Sequence, residues 1–413
     1  MALRLRTSGL VLSTAAFALS SSASRADAQQ VLVVAPAAGP GVFSTSIQSA
    51  IDAAGEGDTV LVRDGAYGGF LVFGKSITVC AEEGATAAIA GSMRVQNVGP
   101  SQRVVLRGLG VVGQTQGIAL TDCAGALWIE DCTAVGAGDP DRDGLLAIHC
   151  ASVTVLRCDL RGGDAPFGPF LSFAGGNGIR FIDSNFAVLD ASLSGGDGGF
   201  FFPTQPIGAS GGAGAIGFSG SLFASGTTFT GGTGGDFAQG TGGPGGHALS
   251  IGGSAVVRDC GFAPGAAGSG AIPGTRGSPT SVFGSGTVST IPGAARHFDA
   301  TSPVREQQLS TFTFGGVAGE NAAVLFSLDP APVASFPPSV FGGPVLVSLA
   351  AADAIAFGVV PGGGSLSAPV PFGSLPPSIA GLTLHFQSFY FDVPITYLVL
   401  GPASAVTILD ANL

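Results

Sequence analysis

Charge is scarce in this chain. Only 10% of residues are Asp, Glu, Lys or Arg, and 16 basic residues stand against 27 acidic ones for a net charge of -11. No basic face of the kind nucleic-acid recognition needs can be assembled from that set, and a polyanion would need bridging cations. Long apolar runs are also missing beyond the N-terminus. Gly, Pro and Ser interrupt every stretch before it reaches the roughly 20 residues of a membrane span. Cysteine is limited to six residues without a paired CxxC, which argues against a structural zinc site. Glycine, by contrast, is abundant at 69 residues. It is costly inside helices and useful in turns, so the composition points to an all-β chain.

The first 28 residues read as an address. Arg4 and Arg6 precede an apolar run from Leu10 to Leu19, and Ala26-Asp27-Ala28 has the small-x-small pattern of a secretory cleavage site. Residues 1–28 are expected to be a bacterial signal peptide. The mature protein is then secreted or held at the cell surface, with no membrane span.

An internal repeat carries the fold. The segments GIALTDCAGALWIEDCTAVG from Gly117, GLLAIHCASVTVLRCDLRGG from Gly144 and GIRFIDSNFAVLDASLSGG from Gly178 are each a pair of short strands, and weaker copies start at Gly214 and His247. Units this short bury a core only by stacking along an axis. Aligning them puts Cys132, Cys158, Ala191, Thr227 and Cys260 in one inward column. The preceding position reads Asp131, Arg157, Asp190, Gly226 and Asp259, with Arg107 from an earlier unit, and its alternating charges suggest register control between rungs. Cys123 and Cys150 share another column, and spacing leaves open both disulfides and buried apolar filler. From Gly195 to Gly277 the units are interrupted by Gly-rich insertions, expected to be loops protruding from one corner.

The run FSTSIQSAIDAAGEGDTVLVRDGAYGGFLVFGKSITV, from Phe43 to Val79, resembles the opening of right-handed parallel β-helix proteins of the pectate-lyase-like superfamily, and the resemblance extends over about Val42 to Ala263. Ile47, Ala50, Ile51 and Ala54 fall on one face of a short capping helix before the first rung. The resemblance implies a right-handed parallel β-helix (solenoid) over residues 29–263. Pectinesterases with this opening carry a Gln-Asp-Thr segment and an Asp within a Phe-Gly motif, and this chain has neither. Pectate lyases gather acidic residues around Ca²⁺ on one sheet with an Arg or Lys as base. Here Asp122, Asp131, Asp159 and Asp183 with Arg157, Arg161 and Arg180 are available, and spacing selects no trio among them.

Residues 264–302, rich in Gly and Pro, read as a linker or a last irregular turn. Beyond them, short strands at Leu309 to Phe314, Ala323 to Leu328, Val345 to Leu349, Ile355 to Val359, Leu382 to Phe391, Thr396 to Leu400 and Val406 to Leu409 predict a smaller antiparallel β-sandwich-like domain over 303–413. It is similar to the C-terminal modules of secreted bacterial proteins.

The densest charge cluster is GDPDRDG, from Gly138 to Gly144. Asp139, Asp141 and Asp143 with Gly144 match the start of EF-hand-like loops, but Cys150 stands where the bidentate Glu would be. A three-carboxylate Ca²⁺ site on a rung corner is therefore the expected metal site. GGTGGDFAQ, with Asp236, approaches a calcium-binding nonapeptide but occurs once, and His149 is the histidine nearest other polar groups. The function expected is a structural or glycan-binding role toward a polysaccharide or cell-surface glycan. The alternative is a carbohydrate-active enzyme, a polysaccharide lyase or glycoside hydrolase acting on acidic polysaccharide.

Overall fold

Each turn of chain between Gly117 and Thr290 lays down short strands that pair in parallel with their counterparts one turn on. Thr154, Val155 and Leu156 lie beside Trp128, Ile129 and Glu130 on one side, and beside Ala187, Val188 and Leu189 on the other. These pairings join 22 strands into one large sheet that winds into a parallel β-helix, followed by smaller antiparallel sheets. The computed structural model describes residues 29–137, 143–165, 173–199, 207–331, 333, 342–350, 352–376 and 378–413. Alternate residues point inward, and Leu127, Val153, Phe186, Leu222 and Ala255 stack with their neighbours in one continuous core. Each such side chain contributes about 1.5 to 3 kcal/mol on burial. The helix Ile47–Ala53 closes the N-terminal end, capped where Ser46 Oγ accepts from Ser49 N at 3.3 Å, with Ile47, Ala50 and Ile51 buried.

The β-helix has three faces. One, termed the docked face, includes Arg103–Arg107, the second halves of Ile118–Glu130 and Leu145–Leu156, Ser184–Leu189, Gly220–Ser225 and Ser254–Arg258. A narrow face carries Thr133–Val135, Asp159–Arg161, Ser192–Ser194 and Thr228–Thr230. The third, termed the open face, is formed by the first halves of the two long strands with Ile179–Ile182, Ala215–Gly217, Leu249–Ile251 and Thr280–Val282. Rungs continue through residues 280–290, where Thr280–Val282 and Thr287–Thr290 pair in parallel with the preceding turn.

Two corners are single residues in the left-handed conformation. Gly108, Asp131, Arg157, Asp190, Gly226 and Asp259 form one such column, all with φ between 47° and 69°. Gly108 rather than Arg107 stands in register with Asp131, because Arg107 pairs with Glu130. Asn97, Asp122, His149 and Asp183 form the second, with φ between 47° and 56°. Asn and Asp tolerate this conformation better than other non-glycine residues, which accounts for their recurrence.

The third corner carries the Gly-rich insertions, and they are regular. Outgoing segments 162–165, 195–199, 231–237 and 264–270 stack beside returning segments 173–178, 207–214, 240–247 and 272–278. Gly195 and Gly198 donate to Thr230, where the next outgoing segment leaves its strand, and to Thr233 within it, both at 2.8 Å. Gly196 and Gly199 donate to Gly176 and Phe173 of a returning one, at 2.8 and 3.1 Å. Each contact recurs after three residues, the period of a polyproline II helix, whose backbone groups are free to bond to neighbours. The cross-contacts continue from Gly212 to Gly196, Gly232 to Gly212, Gly246 to Gly232 and Gly265 to Gly246. A Cβ at Gly212 would lie 1.8 Å from Gly176 O, and one at Gly246 would lie 1.8 Å from Gly212 O. Neither glycine has positive φ. It is the missing side chain, not backbone freedom, that the lattice requires.

The C-terminal chain forms a three-stranded antiparallel sheet (His297–Ala300, Leu309–Gly315, Ser365–Pro371) against a five-stranded one containing Asn321–Ser327, Gly381–Phe391 and Leu398–Leu409. Phe298, Phe312, Phe314, Phe386 and Tyr390 fill the space between them. Three local expectations differ from the structure. Leu398–Leu409 is one strand rather than two, and Val345 to Leu349 contributes only an isolated bridge from Val347 to Pro330. Ser365–Pro371 is a strand that its prolines obscure in the sequence; it lies at a sheet edge, where a missing N–H is tolerated.

The sandwich lies on the docked face. All of Gly381–Phe391 is buried, one side in the sandwich core and the other on the β-helix. Outward residues Val105, Trp128, Leu156, Leu189 and Phe223 pack against Leu346, Ala403 and Ala405. The connecting chain runs back along the first corner column: Ala295 N donates to Asp259 at 2.8 Å, His297 meets Asp190 at 2.9 Å, and Arg157 donates to Phe298 O at 2.8 Å.

Candidate functional site

Of the three expected calcium ligands, Asp139 and Asp141 lie outside the described residues. Asp143 is 2% exposed and its carboxylate is engaged within the fold. Oδ1 accepts from Asn177 N and Nδ2 at 2.9 and 2.8 Å, and Oδ2 lies 2.7 Å from Arg180 Nε. The same contact recurs one rung on. Asn177 Oδ1 accepts from Ala213 N at 2.9 Å, and His247 Nδ1 from Ser278 N at 3.0 Å, so this column caps backbone donors where the insertions rejoin the rungs. Asp236 does likewise on the outer side of the lattice. Its carboxylate accepts from Ser269 N at 2.6 Å, and that bond lowers its pKa.

The acidic and basic residues weighed for lyase chemistry are dispersed. Asp159 and Arg161 are on the narrow face, Arg180 is paired with Asp143, and Asp131 and Arg157 sit under the C-terminal domain. There, Glu130, Asp131 and Asp299 approach closely enough to hold a cation. Two guanidiniums take that place instead. Arg107 Nη1 lies 2.8 Å from Glu130 and Nη2 2.9 Å from Asp131, while Arg157 bonds Glu130 and reaches Asp131 at 2.8 Å and Asp299 at 3.2 Å. Burial opposes charge on Arg157, but the carboxylates of Glu130, Asp131 and Asp299 outweigh it and raise its pKa. Glu130, fully buried, also accepts from Trp128 Nε1 at 2.7 Å and Ala405 N at 2.8 Å. This cluster fastens the sandwich to the β-helix.

The cysteines also serve the interior. All six are free thiols, with Cys150 in register beside Cys123. Burial pushes the Cys80 thiol up to about 12 and Cys158 well above the ordinary range, which makes them poor nucleophiles.

The second corner column differs because it is exposed. His149 Nδ1 lies 3.0 Å from Asp122 Oδ1, and Nε2 lies 3.7 Å from Asp183 Oδ2. Ser219 Oγ donates to the other oxygen of Asp183 at 2.5 Å. A row of carboxylate, imidazole, carboxylate and hydroxyl therefore follows the rung spacing of about 4.8 Å. The side chains of Asp122, His149 and Asp183 are 56 to 59% exposed. Beside them on the open face run Ile148, Ile182 and Phe218, the last of which meets Phe283 edge-on at 5.7 Å. Gly252 makes room for that pair, since a Cβ there would lie 2.5 Å from the Phe283 ring. Ser219 is bonded to the Asp183 carboxylate rather than to His149, so the row is not the serine–imidazole–carboxylate order of a nucleophilic relay. The ladder is suited to hydrogen-bonding a ligand with several hydroxyls laid along the axis.

The sequence indicates Asp122, His149 and Asp183 singly, not as a unit. The signal was one position away: Asp122 and His149 immediately precede Cys123 and Cys150, which share a column. No protein-family model matches the chain and no curated protein sequence matches it. Fold and site together define a parallel β-helix with a docked antiparallel sandwich and an exposed polar ladder. No helix among the described residues is long and apolar enough to cross a membrane.

Proposed function

We propose that this is an exported carbohydrate-binding β-helix protein, a distant relation of the pectate-lyase-like superfamily, that holds a polysaccharide or cell-surface glycan along its open face. The observation that carries the reading is the exposed ladder of Asp122, His149, Asp183 and Ser219 beside Ile148, Ile182 and Phe218. Sugar rings present apolar C–H faces and hydroxyl rims, which such a surface complements. The carboxylates and the net charge of -11 favour a neutral glycan over an anionic one. The covered docked face supports binding over cleavage, because Asp131 and Arg157 are spent on holding the C-terminal domain. That domain serves as part of the body rather than as a tethered module. Ca²⁺ at Asp139, Asp141 and Asp143 would have to displace Arg180 from Asp143, which makes it an accessory ion. Residues 1–28 direct export. A glycan array, with reducing ends and unsaturated products followed on every positive, tests the proposal. Binding of neutral glycans without turnover is expected; turnover of an acidic polysaccharide would replace this reading with the enzymatic one.

A further inference from the structure

The two ends of the β-helix are finished differently. At the N-terminal end the helix Ile47–Ala53 covers the first rungs with three buried side chains. At the other end four strands, Gly261–Ala263, Gly270–Ile272, Thr280–Val282 and Thr287–Thr290, each pair only with the strand before them. Their outer edges present unpaired backbone donors and acceptors at one level. Inward positions are uncovered there as well. Val282 is 51% exposed although it continues the column of the fully buried Ile251, and Phe262, stacked on Phe229 at 5.3 Å, is only partly buried. Solenoids ordinarily finish with a polar cap, and open strand edges are ordinarily protected by charge. Charge is nearly missing here: Arg276 is the only charged residue between Cys260 and Ile291, and the terminal strands carry uncharged Ser, Thr and Val. Among the described residues the C-terminal domain leaves this end open, and its connecting chain turns back along the corner column toward Asp190 and Arg157.

We propose that this end is a self-association surface at which two copies of the chain meet end to end about a two-fold axis. An occupant must offer several strand edges at one level together with an uncharged apolar centre. Among the described residues, the surface with that form is this end itself. A two-fold perpendicular to the β-helix axis lays the two end rungs over one another with their strands antiparallel, offers partners to the open edges and covers Phe262, Val282 and Val288 from both sides. Because the helix Ile47–Ala53 closes the opposite end, association stops at a dimer.

The test is the molar mass of the purified mature chain, by sedimentation velocity and light scattering over a concentration series. The wild type is compared with a Val282→Lys, Thr290→Lys double variant and a Val112→Lys control on the narrow face, all at exposed positions. Expected are a dimer for the wild type and the control, and a monomer for the double variant, with unchanged circular dichroism and melting. A monomeric wild type at every concentration, a dimer that survives both lysines, open-ended polymers, or a co-purified peptide occupying the edge would each overturn the proposal. No glycan enters the assay, so its outcome is independent of the binding reading.

Discussion

Acid should undock the sandwich through one histidine. His385 is fully buried between the two domains, edge-on to Trp128 at 4.8 Å, and neither ring nitrogen has a hydrogen-bond partner among the described residues. Burial, with the nearby Arg103 charge second, pushes its pKa down to about 3. The unfolded value is about 6.5, so between these two pH values the unfolded chain binds the extra proton and stability falls as pH is lowered. At pH 4.5 the deficit is about 2 pH units, or about 2 to 3 kcal/mol at about 1.36 kcal/mol per unit. His297 acts in the opposite sense. Its hydrogen bond to Asp190 raises its pKa, so it contributes stability that is present in acid and lost as pH rises through the raised value. Comparing wild type with His385→Leu cancels that term. Trp128 is the sole tryptophan and touches the histidine, so its fluorescence during urea unfolding reports the event directly. Between pH 7 and 4.5 the wild type should lose about 2 to 3 kcal/mol more than His385→Leu. Equal losses would refute the reasoning.

Three further outcomes are expected. Glu130→Ala removes the one fully buried carboxylate of the cluster, leaving Arg107 and Arg157 to share Asp131 and Asp299, and should cost about 3 to 5 kcal/mol, read as a lowered thermal midpoint. Gly212→Ala places a methyl 1.8 Å from a backbone carbonyl and should cost at least about 2 kcal/mol, with faster amide exchange in 195–246, whereas Gly39→Ala, with nothing within 4 Å, should be neutral. All six cysteines should titrate as thiols after unfolding of protein purified without reductant, since in-register parallel strands hold Cβ atoms near 4.8 Å, beyond the roughly 3.8 Å a disulfide prefers.

Much of the β-helix is legible in the repeat because its inward columns recur at fixed offsets. Docking of the C-terminal domain left a fainter trace. Strand segments such as LWIE, VTVL and FAVL are apolar on both faces, as strands covered from both sides are, while IRFI and DLR on the other faces alternate more. Residues such as Thr383, His385 and Gln387, which look like a solvated strand side, are instead buried against it. The Gly-rich insertions were the least readable, because glycine ordinarily signals turns. Here GGDGG, GGTGG and GGPGG mark a three-residue repeat in which two positions meet neighbouring backbones and the third faces out. The ladder is hidden for another reason: its members are 27 to 36 residues apart and gathered only by rung register.

The most direct test of the glycan-binding account is calorimetric titration of the strongest neutral ligand from the array into wild type, His149→Ala and Asp183→Asn. Each replaced group is exposed and Asn tolerates the left-handed corner at Asp183, so melting should change little there, while alanine at the left-handed His149 corner should cost about 1 kcal/mol. Each should weaken binding at least about tenfold, corresponding to about 1.4 kcal/mol for a lost charge-assisted hydrogen bond. Wild-type affinity in both variants would contradict the account.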